Sequence, residues 1–144
     1  MTKTLPAIET GLKITGTPFS PTRESIREFC EASLDFNPLH LDDNYMKGNF
    51  GKTNFGGIIM HGMNNFGVIT KMLTDWIYVH GGMQRRLETR WKMPVKPGDT
   101  ITPSAVVTGT RDTQGGRWFT LNVQVENQRG ELVAVGEAMV EIPR

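Results

Sequence analysis

The sequence predicts an α+β domain in which a curved antiparallel sheet wraps around one long apolar helix. Three observations lead there. One stretch, Gly62 to about Val79, carries sustained apolar residues at helical spacing. From Gly81-Gly82 onward the apolar period changes from about 3.6 to about 2 and stays there to the C-terminus. The 144 residues suit a single domain, 1–144, with a real core and leave no room for two.

In chain order, Leu12 to Phe19 reads as a first extended segment. Ser20-Pro21 offers an N-cap hydroxyl and a proline at the first helical position. A short helix to about Ala32 follows, with Ile26, Phe29 and Cys30 on one side. Asp35 to His40 forms a loop. Residues 42–57 read as an irregular excursion with one helical turn, and a long irregular connection in a small domain is often functional. On the main helix, Phe66, Val68, Ile69, Met72, Leu73, Trp76, Ile77 and Val79 cover about half the circumference, with Asn64, Lys71, Asp75 and Tyr78 opposite. Such a helix must be largely enclosed.

Leu87, Thr89, Trp91, Met93 and Val95 then alternate with Arg86, Glu88, Arg90 and Lys92. Pro97-Gly98-Asp99 is a turn, and Ile101, Ala105 and Val107 share one face of the next strand. Gln114-Gly115-Gly116 makes a hairpin to Phe119, Leu121, Val123 and Val125, and Asn127 to Gly130 turns again. Leu132, Ala134, Gly136, Ala138, Val140 and Ile142 share the last inner face. Four long strands with short turns predict an antiparallel meander, with Ala134, Gly136 and Ala138 small enough to let the helix approach. A long helix inside a curved antiparallel sheet is the hot-dog fold. Its exposed edges predict a homodimer or a dimer of dimers.

Composition narrows the function. Lys+Arg 16 against Asp+Glu 15 argues against a nucleic-acid partner or a polybasic membrane anchor. The single cysteine, Cys30, excludes an intrachain disulfide and fits a reducing compartment. No apolar run reaches the ~20 residues of a membrane span, and the first residues lack the apolar run of a signal peptide. The expectation is a cytoplasmic protein.

Two strings can carry chemistry. In Asp35-Phe-Asn37-Pro38-Leu-His40, Pro38 lacks an N–H and pushes Asn37 out of helical geometry. An acid and an imidazole on a fixed loop can hold a water and move its protons. The same string also reads as a plain Asx-Pro turn. In Phe55-Gly-Gly57-Ile-Ile-Met-His61-Gly62-Met63, glycines precede the apolar helix, whose first N–H groups and dipole can stabilise charge on a carbonyl oxygen. Gly57 and Gly62 can equally just shape a turn, and His61 can be a hydrogen-bonded structural histidine. His40, His61 and His80 show no metal-ligand spacing. Arg86, Arg90 and Lys92 are a solvated strand face or a basic rim for phosphates.

Together, Asp35-x-Asn37-Pro38-x-His40 and His61-Gly62-Met63 resemble the MaoC-like (R)-specific enoyl-CoA hydratases. The resemblance extends through Trp91-Lys-Met-Pro94-Val95, Pro97-Gly98-Asp99 and Asn127-Gln-Arg-Gly130, so it covers nearly the whole chain. It implies hydration of a trans-2-enoyl thioester to an (R)-3-hydroxyacyl-CoA, or the reverse. Asp35 and His40 would activate water, and the Gly62 N–H would receive charge from the thioester oxygen. Asn37, Gly57, His61, Arg86, Arg90 and Lys92 would serve substrate binding. No metal or cofactor is implied; coenzyme A is the carrier of the substrate.

Three residues depart from the family pattern: Leu34 where glycine usually precedes the acid, Met46 where a small residue is usual, and Gly67 where a hydroxyl is often found. Two other readings compete. A non-catalytic acyl-CoA-binding or partner subunit would be expected to have lost Asp35 or His40. A hot-dog thioesterase would carry its acid on the central helix, where Asp75 is the only acid and lies far from the start.

Overall fold

The computed structural model describes residues 7–48 and 55–144. In order these form strand β1 (Lys13–Thr15), helix α1 (Arg23–Ser33), a 3-10 turn (Pro38–His40), helix α2 (Asp43–Lys47) and helix α3 (Gly62–Ile77), which runs into a second 3-10 turn (Tyr78–His80). Strands β2 (Met83–Trp91), β3 (Thr102–Asp112), β4 (Gly116–Glu126) and β5 (Leu132–Pro143) follow. All five strands join one antiparallel sheet in the order β1-β3-β4-β5-β2. Bulges fall between Gln84 and Arg86, Val107 and Gly109, and Val125 and Glu126. Each adds local twist, and the sheet curls around α3 as a hot-dog fold requires.

The core lies between the sheet's inner face and α3. Phe119, Leu121, Val123 and Val125 of β4 meet Ile69, Met72, Leu73 and Ile77 of the helix, and Trp76 packs edge-on against Phe119 at 6.3 Å. Cys30 and Ile26 bury the inner side of α1. Burial pushes the Cys30 thiol above its ordinary value, and the nearby Asp35 charge adds to this.

Several expectations need correction. Helix α1 is capped by Thr22, not Ser20: Thr22 and Ser25 form a reciprocal capping box, while the Ser20 hydroxyl bonds that of Thr100 at 2.8 Å. The first extended segment shortens to Lys13–Thr15 plus a bridge from Phe19 to Ile101. Only α2 is helical in the 42–57 excursion, of which residues 49–54 lie outside the described residues. The main helix ends at Ile77, so Val79 falls in the following 3-10 turn and is exposed, while Asn65 on α3 is buried. Leu132 is exposed and Val133 buried, because the bulge near Glu126 shifts the inward alternation by one residue.

The meander holds only for β3, β4 and β5. Strand β2 stops at Trp91 and pairs with the far edge of β5, so residues 92–101 cross from one side of the sheet to the other. Pro97-Gly98-Asp99 turns within that crossing, with Gly98 at φ 91°. Gly136 is small for the same reason: a Cβ there would collide with the backbone of Glu88 and Thr89 in β2, rather than with the helix.

Candidate active site

Helix α1 ends on Leu34, which holds a left-handed conformation at φ 61° and ψ 21°. This reversal turns the chain sharply, so that Asp35 leaves the helix axis at once. The loop is then locked by short-range bonds. Ser33 Oγ donates to Phe29 O at 2.6 Å and accepts from Asp35 N at 3.2 Å. Asp35 Oδ1 accepts from Asn37 N, and Asn37 Oδ1 accepts from Leu39 N at 3.1 Å. Pro38 opens the 3-10 turn that carries His40. Asn37 therefore shapes this loop through its own backbone-directed bond.

The loop rests on the strand-like segment before α3. Ile59 N donates to Leu39 O at 3.0 Å, and Met60 N donates to Val95 O at 2.7 Å. Asp43 clamps the other end. It pairs with Arg23 at 2.8 Å and accepts from Ile58 N at 3.0 Å, and the Arg23 bond holds its carboxyl below the usual carboxylate range. Gly57 packs against this carboxylate, 3.2 Å from where a Cβ would stand. Nothing in the sequence distinguished Asp43 from other loop acids, because its partners lie on separate elements.

Asp35, His40 and His61 converge. The Asp35 Oδ2 atom lies 3.9 Å from His40 Nε2 and 4.0 Å from His61 Nε2. Both distances exceed a direct hydrogen bond. His40 Nδ1 sits 2.7 Å from the Ile59 carbonyl, which can only accept, so Nδ1 carries the proton and Nε2 faces Asp35 with its lone pair when the ring is neutral. His61 stacks on His40 with ring centroids 3.6 Å apart and 19° between planes. Its Nε2 donates to the Asp35 carbonyl at 3.2 Å, with Cys30 Sγ 3.6 Å away. His61 is 2 % exposed, and burial holds it below its ordinary value of 6.5 despite the Asp35 carbonyl bond.

These three groups are also the one cluster among the described residues that could be considered for a metal ion. The ring geometry does not suit it. A metal must lie near the plane of each imidazole it binds, and two nearly parallel stacked planes share no such point.

The start of α3 adjoins this cluster. His61 is its N-cap residue but makes no side-chain cap hydrogen bond to the first-turn N–H groups. Gly62 lies under the Trp91 indole, and a Cβ there would fall 2.7 Å from Trp91 Nε1. A cavity of about 250 Å3 opens beside it, lined by Phe55, Ile59, Gly62, Asn65, Trp91 and Met93 among others. Asp35 and His40 are not in that lining; the cavity meets the cluster through Gly62 and through Ile59, whose carbonyl pins His40.

Of the substrate-binding candidates, Lys92 lines this cavity. His61 is instead packed behind His40, and Gly57 belongs to the Asp43 clamp. Arg86 pairs with Glu88 and with Glu137, and Arg90 is exposed on the same outer face. Neither lies on the cavity. Leu34, Met46 and Gly67 are also absent from its lining: Leu34 is 77 % exposed and Met46 is fully buried elsewhere. Sequence reasoning named Asn65 only as a neighbour of Gly67, beside the place where a hydroxyl is often found, although its spacing from Ile69 and Met72 places a polar residue on the buried stripe of α3.

The chain is similar to several known proteins over most of its length. The MaoC like domain family model matches residues 3–128. The (R)-specific enoyl-CoA hydratase of Aeromonas caviae is 31 % identical over 82 % of this chain and 84 % of its own. The enzyme of the same name from Rhodospirillum rubrum is 31 % identical over 80 % of this chain and 75 % of its own. The solved (R)-hydratase from A. caviae, described as involved in PHA biosynthesis, superimposes with a TM-score of 0.83 at 29 % identity, covering 96 % of this chain and all of that one. With its acid, asparagine-proline turn and histidine converging at the start of a sheathed helix, the chain belongs to the MaoC-like domain family of hot-dog proteins.

Proposed function

We propose that this protein is a hydro-lyase that adds water to a trans-2-enoyl-CoA to give an (R)-3-hydroxyacyl-CoA, or removes it in reverse. The observation that carries the reading is the facing pair of Asp35 Oδ2 and His40 Nε2 at 3.9 Å, with His40 Nδ1 anchored to Ile59. Two acceptors at that separation can each take one hydrogen of a single water, leaving its oxygen lone pairs directed at substrate. The oxygen bonds to C3 as one proton passes to the pair, and the pair returns a proton to C2 on the same face. The π electrons move onto the thioester oxygen, where the Gly62 N–H and the helix dipole stabilise the enolate. Water is added in full, with no electron donor or acceptor needed. Neither a metal nor an organic cofactor enters this scheme; coenzyme A carries the acyl group.

The thioesterase reading has less support. Asp75, the acid on α3, is ion-paired with Lys71 and lines a different surface hollow with Thr15 and Trp76. A non-catalytic acyl-CoA-binding or partner subunit would have no use for the anchored imidazole. The deciding experiment follows enoyl-thioester absorbance with crotonyl-CoA and longer substrates. Asp35→Asn and His40→Gln are each expected to lower kcat by roughly 10²- to 10⁴-fold while circular dichroism stays native. Near-wild-type hydration by both variants, or an (S) product, would refute the assignment.

A further inference from the structure

Asn65 interrupts an otherwise mainly apolar wall. The cavity beside Gly62 is bounded by Met60, Trp91, Met93, Pro94 and Val95, and Asn65 lines it from the first turn of α3. The residue is only 3 % exposed. Its Oδ1 is buried and has no hydrogen-bond partner among the described residues. Buried polar atoms in folded proteins are nearly always paired. None of the described residues supplies a donor, and a ligand in the cavity that Asn65 lines can supply one.

We propose that Asn65 is a specificity-determining residue that selects acyl chains bearing a hydroxyl group over plain alkyl chains. The inference rests on the reading of this site as one for enoyl thioesters. Asn65 lies three residues beyond Gly62, about 4.5 Å further along the helix axis. An acyl chain whose thioester oxygen meets the Gly62 N–H therefore runs on past the Asn65 carboxamide. A hydroxyl there satisfies the carboxamide in either orientation, since it both donates and accepts. A methylene in the same place offers the carboxamide neither donor nor acceptor, which is how a polar group in a pocket rejects an analogue lacking its partner.

Calorimetric binding of saturated esters to the full chain tests this without turnover. The probes are hexanoyl-CoA and its analogues hydroxylated at carbon four, five or six. The wild-type protein is expected to bind at least one hydroxylated ester roughly tenfold more tightly than hexanoyl-CoA, the gain of one net hydrogen bond. Asn65→Leu should bring that pair to equal affinity; Asn65→Ala serves if the leucine variant does not fold, and the wild-type series is decisive by itself. Equal wild-type affinities across the series, or a preference that survives in Asn65→Leu, overturns the proposal and leaves an oxygen that only a water or another chain satisfies. Hydration of trans-2-hexenoyl-CoA separates the two levels. Turnover without a hydroxyl preference removes this inference alone, whereas a binding preference without turnover sustains it and removes the hydratase reading.

Discussion

His61 shows how one buried ring can support another that does chemistry. It stacks on His40 at 3.6 Å and donates to the Asp35 carbonyl, so it fixes both the plane of the imidazole and the backbone of the acid. Burial, reinforced by the proximity of His40, opposes its protonation. The folded-state value therefore lies below 6.5, and the unfolded chain binds more protons in the window beneath that value. Stability is complete above about pH 6.5 and falls as pH drops through this window toward the folded-state value. Denaturant titrations at several pH values should show the decline, and His61→Gln should flatten it; an unchanged slope in that variant would exclude His61 as its source. The residues of this site were readable from sequence to different degrees. Asp35, Asn37 and His40 stood out because a proline fixes their loop. The left-handed Leu34 did not: its φ of 61° explains why glycine is usual there, yet leucine itself carries no turn signal.

At the level of elements, the start of α3 depends on a strand end that lies almost 30 residues away in sequence. Trp91 closes β2 and lays its indole over Gly62, which leaves room for no side chain there. Gly62→Ala brings two effects of opposite sign. Overpacking against a large ring costs about 1–3 kcal/mol, at the low end here because Trp91 is 44 % exposed and can swing outward. The gain from alanine in a helix is at most about 1 kcal/mol. Net stability should thus change little, while the displaced indole opens the cavity wall and raises KM. In a Trp91→Ala background the overpacking disappears and the same substitution should stabilise by up to about 1 kcal/mol, a coupling of about 1 kcal/mol in a double-mutant cycle; strict additivity would mean the two residues do not press on each other. The helix and the strands were legible because periodicity reports which face is buried. Strand order was not, since alternation says nothing about neighbours: β2 reads as the first member of a meander, and only the enforced smallness of Gly136 marks where its backbone passes.

For the whole molecule, the open question is what covers the site. The Asp35 side chain is 54 % exposed, and its neighbours Leu34 and Phe36 present apolar surface to solvent on either side. A carboxylate so open to water loses much of the advantage of a low-dielectric setting, which strengthens every charge interaction in a reacting complex. Strand β2 leaves one edge unpaired along Met83–Trp91 among the described residues, and Arg85, Arg86 and Arg90 lie on that strand. An uncovered acid, exposed apolar flanks and a free edge are together what a second copy of the chain would satisfy by two-fold packing. Light scattering is therefore expected to give twice the chain mass of 16.1 kDa at micromolar concentration. If the second copy also shields the acid, turnover per chain should fall on dilution in step with the dimer population. A species of single-chain mass with undiminished turnover would mean that substrate alone closes the site, and that the apolar flanks of Asp35 serve the acyl chain instead.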